Sequence, residues 1–188
     1  MSATEGVGLG SCVTDIVEVA ALRGRAWDLA TIANRQGLRL PEFGRVVASP
    51  EHIALSVRPD RWLLLFPPGP AGASAETWQA ACAGCAVAVD LSSGLVAFHL
   101  EGPAVHEVLA RGCRLDLDPE VFPAGSAAAT IMAQVSVTVM ALSSGVLLLT
   151  PATTARHFYE WLASAAKSFG FVAQHALPFS MLSGDRAP

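Results

Sequence analysis

Residues 22–26 read Leu-Arg-Gly-Arg-Ala and residues 100–104 read Leu-Glu-Gly-Pro-Ala, and in both places an apolar run passes through the glycine into a helical pattern. A second pair of segments keeps the same order. Leu63-Leu64-Leu65-Phe66-Pro67 and Leu147-Leu148-Leu149-Thr150-Pro151 each precede a helix that carries a tryptophan, Trp78 in the first case and Trp161 in the second. Two matches in one order predict a duplicated β-α-β-β-α-β unit of ferredoxin-like type. The expected fold class is α+β, with antiparallel sheets covered on one face by helices.

Outward from these anchors, Thr14 to Leu22 reads as a strand and Ala26 to Gln36 as a helix that Gly37 ends. Arg45 to Ala48 is a short strand inside a loop. Ile53, Leu55 and Val57 alternate along the next strand, and a turn at residues 58–61 leads into Trp62 to Phe66. Ser74 is placed to cap a helix through Ala83, and Ala86 to Leu91 closes the first unit. The second unit runs from a strand at Leu95 to Leu100 into a helix at Ala104 to Arg111. Strand material follows at Ala129 to Ala141, then a turn at residues 143–145 and a returning strand, Val146 to Thr150. A helix from Thr153 or Thr154 to about Ser168 carries Phe158, Trp161, Leu162 and Ala165 as its apolar stripe, and Gly170 ends it. These boundaries predict a flexible N-terminus over 1–13, subdomains at 14–91 and 92–173, and a tail over 174–188 with a docking segment near Ala176 to Leu182.

Charged residues are 15% of the 188, and mean hydropathy is +0.45, which is too apolar for a disordered chain. No apolar run reaches the roughly 18 residues of a membrane helix. The surplus must be buried in a core, against a partner, or both. Net charge is −4, and the 12 Arg and Lys residues form no stripe, so nucleic-acid binding has no electrostatic footprint. The first residues lack the order of a secretory signal, and four cysteines then point to a reducing cytoplasm.

Candidate chemistry is sparse. Cys82-Ala83-Gly84-Cys85 has C-x-x-C spacing, but a structural zinc needs a second pair of ligands, and Cys12 and Cys113 are isolated. The pair also falls at a helix C-terminus, the wrong pole for a reactive thiol, so buried inert thiols are expected. His52, His99, His106, His157 and His175 are dispersed, with no triad-like grouping. No catalytic, cofactor-binding or metal-binding residue is assigned.

The stretch from Val89 to Gly125 narrows the identity. Asp90-Leu91-Ser92, a strand, Gly102-Pro103 and the following helix resemble a segment shared by the folate-binding domains of aminomethyltransferases. The continuation Gly112-Cys113-Arg114-Leu115-Asp116-Leu117, then Pro119, Phe122-Pro123 and Gly125, resembles the sarcosine oxidase gamma subunit family. Arg58-Pro59-Asp60-Arg61-Trp62-Leu63 is similar to that family's strand-opening segment, with Arg61 where an acid is usual. The resemblance spans about Thr14 to Gly170.

It implies a non-catalytic gamma subunit with alpha, beta and delta partners. FAD, FMN, NAD, tetrahydrofolate and zinc would be bound by those partners and none by this chain alone. The complex would demethylate sarcosine or a related N-methyl amine oxidatively and pass the one-carbon unit to tetrahydrofolate. The alternative it leaves is a stand-alone folate-binding or aminomethyltransferase-like protein. Within the motif, Asp90, Ser92, Gly102, Pro103, Gly112, Cys113, Leu115, Asp116, Pro123 and Gly125 are expected to be structural. Asp90 and Ser92 would bond turn backbone, Leu115 and Leu117 would pin the loop, and Asp116 and Asp118 would stay solvated or face a partner.

Overall fold

The computed structural model describes residues 6–174 and 176–182. In chain order the strands of the first unit are β2 (Asp15–Ala21), β3 (Arg45–Ala48), β4 (Ile53–Arg58), β5 (Arg61–Phe66) and β6 (Ala86–Asp90), preceded by β1 (Val7–Cys12). Helices α1 (Ala26–Arg35) and α2 (Ala73–Ala81) belong with them. The second unit holds β7 (Leu95–Glu101), α3 (Val105–Ala110), β8 (Ala127–Met132), β9 (Val135–Leu142), β10 (Gly145–Pro151), α4 (Ala155–Ala166) and β11 (Phe171–Ala173).

One sheet has the order β3-β4-β5-β2-β6 and the other β11-β1-β7-β10-β9-β8. With β1 set aside, the second order mirrors the first, element for element. Each unit is a βαββαβ core with an extra edge strand, β3 or β8, laid beside its second core strand. The matched leucine runs become the central strands β5 and β10, each paired antiparallel to the strand that opens its unit.

Strand alternation divides the burial into three layers. Val17 and Val19 of β2 face α1 and α2, joining Leu29, Leu64 and Trp78. Phe98, Leu100 and Leu148 face α3 and α4, joining Leu109, Phe158 and Leu162. The opposite faces meet each other. Ile16, Ile53, Leu55 and Leu65 pack against Met140, Leu142, Leu147 and Leu149. Helices therefore cover each sheet on one face, as expected, and the remaining faces seal against one another in an α/β/β/α sandwich.

The N-terminus departs from the expectation of a flexible segment over 1–13. Residues 7–12 are an internal strand, antiparallel to β7 and parallel to β11. Val7 and Leu9 point into the helix-side core and are fully buried. Gly8 and Gly10 occupy the other face because the tail crosses it there. A Cβ at Gly8 would lie 2.6 Å from Gln174 Nε2, and one at Gly10 2.8 Å from Leu177. Two glycines in six residues conceal the strand from a propensity reading.

The tail docks as far as it is described. Leu177 bridges Cys12, a 3-10 turn spans Phe179–Met181, and Phe179 and Leu182 join the layer between the sheets. Residues 1–5, His175 and 183–188 lie outside the described residues. The strand material at 129–141 resolves into β8 and β9 around Ala133 and Gln134, both at positive φ, and β8 begins earlier, at Ala127.

Candidate functional site

Of the residues singled out in the sequence, Asp90, Ser92 and Gly125 tie the two units together, and the others fix turns and a loop of the second unit. Asp90 Oδ1 accepts from the Ser92 backbone N–H at 2.9 Å and from the Ser92 hydroxyl at 2.6 Å. These bonds hold the Asp90 carboxyl below its ordinary range. The Ser92 oxygen in turn accepts from Ile16 N–H at 3.0 Å, and Leu91 N–H donates to the Ile16 carbonyl. The link between the units is thus tied to the first strand of the opening unit.

Gly102 has φ +119 and touches the backbone of Gly6, and Pro103 follows it in the turn before α3. Gly112 passes so close to Trp161 of α4 that a Cβ would meet the ring at 2.4 Å. Cys113 bridges Met132, and Leu115 and Leu117 lie against the core. Asp116 and Asp118 accept from backbone N–H groups two residues on, at 3.0 and 2.9 Å, fixing an exposed loop. Gly125 accepts from Val46 N–H and donates to the Ala141 carbonyl, so it joins the two sheets, with Pro123 just before it.

Cys82 and Cys85 are buried free thiols, and Cys85 Sγ donates to the Cys82 carbonyl at 3.2 Å. Burial raises the Cys82 thiol, and Cys85 beside it adds to the rise. Burial also pushes Cys12 up to about 11. Thiols held protonated are poor nucleophiles. Among the described residues no group of three or more His, Cys, Asp or Glu is arranged to hold a metal, and no helix is long and apolar enough to cross a membrane.

His99 is 1% exposed, between Gly10 of β1 and Leu147 of β10. Neither ring nitrogen makes a full hydrogen bond with a described residue. Desolvation holds its pKa below the ordinary value, outweighing Glu101 and the Ser144 backbone, which favour the charged form. The native state therefore keeps the ring neutral while the unfolded chain protonates near pH 6.5. Stability is present above that pH and falls as the solution is acidified through it. Melting temperature is expected to drop between pH 7 and 5, and His99→Leu to flatten the drop. A residual slope of the same sign is expected from His52, whose pKa burial also lowers. An equal slope in the variant would show that His99 does not set it.

An open cleft of about 530 Å³ lies between the two sheets, at the start of β7 and the end of β10. One wall is Glu18, Val57, Arg58, Arg61 and Leu63. The other includes Ile131, Ser136, Thr138 and Leu149, with Leu91 and Leu95 between them. Arg61 Nη1 meets Glu18 Oε1 at 2.8 Å. Sequence reading did not find this cleft, because it exists only through the packing of sheet on sheet. One signal was available: Glu18 sits on the face of β2 that Ile16 gives to the intersheet core. Large apolar side chains are also exposed elsewhere, Trp27 at 78% and Phe43 at 67%, and Ile131 at the cleft rim at 59%.

Comparison with known proteins gives a consistent result. Residues 23–168 match the model of the "Sarcosine oxidase, gamma subunit family". The chain is 31% identical to the sarcosine oxidase subunit gamma of an Arthrobacter species over 156 residues, covering 81% of this chain and 76% of that one. Among solved structures it is similar to a chain of the heterotetrameric sarcosine oxidase from Corynebacterium sp. U-96 in complex with pyrrole 2-carboxylate. The TM-score there is 0.79 at 27% identity, covering 90% of this chain and 88% of that one. The glycine cleavage system aminomethyltransferase T of Bartonella henselae shares the fold, with TM-score 0.65 at 15% identity over 95% of this chain and 49% of that one.

Proposed function

The chain belongs to the sarcosine oxidase gamma subunit family, and from that premise we propose that it is the non-catalytic gamma subunit of a heterotetrameric sarcosine-oxidase-type complex. The observation that carries the reading is the family match, which runs through both units and their link. Its partners would be the alpha, beta and delta subunits, holding FAD, FMN, NAD, tetrahydrofolate and zinc. The complex would demethylate sarcosine or a related N-methyl amine oxidatively and hand the one-carbon unit to tetrahydrofolate. Four thiols without disulfides suit a reducing cytoplasm.

The staple at Asp90 and Ser92 and the loop from Gly112 to Gly125 serve this role as scaffolding. They tie the two units, residues 14–91 and 92–173, to each other. Uncovered aromatic surface at Trp27 and Phe43 supports burial against a larger chain. Tryptophan in particular is enriched among the residues that dominate binding energy. Burial is worth roughly 25 cal/mol per Å² before the cost of association.

Expressed alone, the chain is expected to self-associate in size-exclusion chromatography with light scattering. Co-expression with the two large subunits should convert it to a stoichiometric complex. A stable, monodisperse monomer that turns over N-methyl amines with folate and no companions would overturn the proposal. Micromolar binding of tetrahydrofolate by the isolated chain would favour a folate-binding protein instead.

A further inference from the structure

We propose that the cleft between the two sheets binds a small amphipathic carboxylic acid, its carboxylate held by Arg58 and Arg61 and its apolar body lying on Leu63, Leu91, Leu95 and Leu149. The proposal is independent of the assembly role. It begins with a juxtaposition of charge at the rim: Arg58 and Arg61, both exposed, stand directly opposite each other where β4 and β5 meet, and both line the cleft. Like charges in that position repel. A single carboxylate, that of Glu18, answers them, and it pairs with Arg61. Arg58 has no ion pair among the described residues, and neither does Asp60 in the turn between the arginines. The rim therefore carries one solvated guanidinium without an ion pair beside a second that meets Glu18 through one nitrogen.

The rest of the cleft selects the remainder of the ligand. Behind the arginines the walls are Val57, Leu63, Leu91, Leu95 and Leu149. The volume of about 530 Å³ falls within the roughly 300–1,000 Å³ of small-molecule sites, which are mostly apolar with a few convergent polar groups. An inorganic anion would satisfy the arginines and leave the apolar walls wet. A neutral lipid would fill the walls and leave the charges opposed. A cation would meet two guanidinium groups. A monocarboxylate with an apolar stem satisfies both parts, since guanidinium and carboxylate match in shape as well as charge.

Isothermal titration calorimetry reads occupancy, because the Trp62 ring lies on the helix-facing side of β5, its Nε1 donating to the Pro41 carbonyl. Decanoate and decanol, titrated into the full chain below the onset of self-association, share a stem and differ in head group. Decanoate should give a saturable binding heat. Decanol should bind at least about tenfold more weakly, the size expected for one charge-assisted contact. Arg58→Ala should weaken decanoate by about tenfold and leave decanol unchanged. Arg156→Ala, an exposed arginine on α4, should alter neither. Equal affinity for the two probes, an unaffected Arg58→Ala variant, or no saturable heat would each overturn the proposal.

Discussion

Gly102→Ala is expected to lower the melting temperature by roughly 10 °C, whereas Gly24→Ala, at the corresponding turn of the first unit, should lower it by only a few degrees. The two glycines join a strand to a helix in the same way and carry positive φ, +119 at Gly102 and +77 at Gly24. Near +77 an alanine pays the left-handed backbone penalty of about 1–2 kcal/mol and little else. Its Cβ at Gly24 would have nothing within 4 Å. At +119 the conformation belongs almost wholly to glycine, and the Cβ would overlap the Gly6 carbonyl. Relief requires moving the start of β1 away from β7, so strain and lost strand pairing add, to about 3–5 kcal/mol. Paired thermal melts by circular dichroism test the contrast. Equal shifts for the two variants would mean that β1 does not press on Gly102.

The same contrast explains what could be read from residues alone. Gly24 and Gly102 look equivalent in sequence, and their shared context revealed the duplication. The long helix was legible from Phe158, Trp161 and Leu162, and the hairpin strands from the alternation of Ile53, Leu55 and Val57. These are local patterns whose period follows from helix and strand geometry. Asp90 and Ser92 were legible as turn residues because their chemistry acts within two positions, although the reach of Ser92 to Ile16 was not. What stayed hidden depends on distant partners. Gly8 and Gly10 resemble a loose terminus until the tail that needs their missing side chains is in place. Glu18 and Arg61 look like ordinary surface charges until two sheets face each other. The resemblance carried by residues 89–125 supplied the family, which no periodicity could.

Deleting residues 1–12 should abolish cooperative folding of the second unit, although the sequence reads there as a flexible terminus. Among the described residues strand β1 is the only neighbour of β11 within the sheet, and it separates β11 from β7. Its removal frees Phe171–Ala173 and leaves one side of β7 unpaired. Val7 and Leu9 are fully buried, and each apolar side chain of that kind contributes about 1.5–3 kcal/mol. Their loss uncovers Leu100, Phe158 and Leu162, which share their core, and the hydrogen bonds to β7 and β11 go with them. Against a total stability of about 5–15 kcal/mol, a deficit of that kind is decisive. A graded version separates packing from chain length. Leu9→Ala should cost about 2–5 kcal/mol, while Val13→Ala, at a side chain 62% exposed just beyond the strand, should stay within about 0.5 kcal/mol. Denaturant melts of the three variants, with limited proteolysis to locate the unfolded part, read out the order. A truncated chain that melts like the full one would show that the second sheet stands without its N-terminal strand.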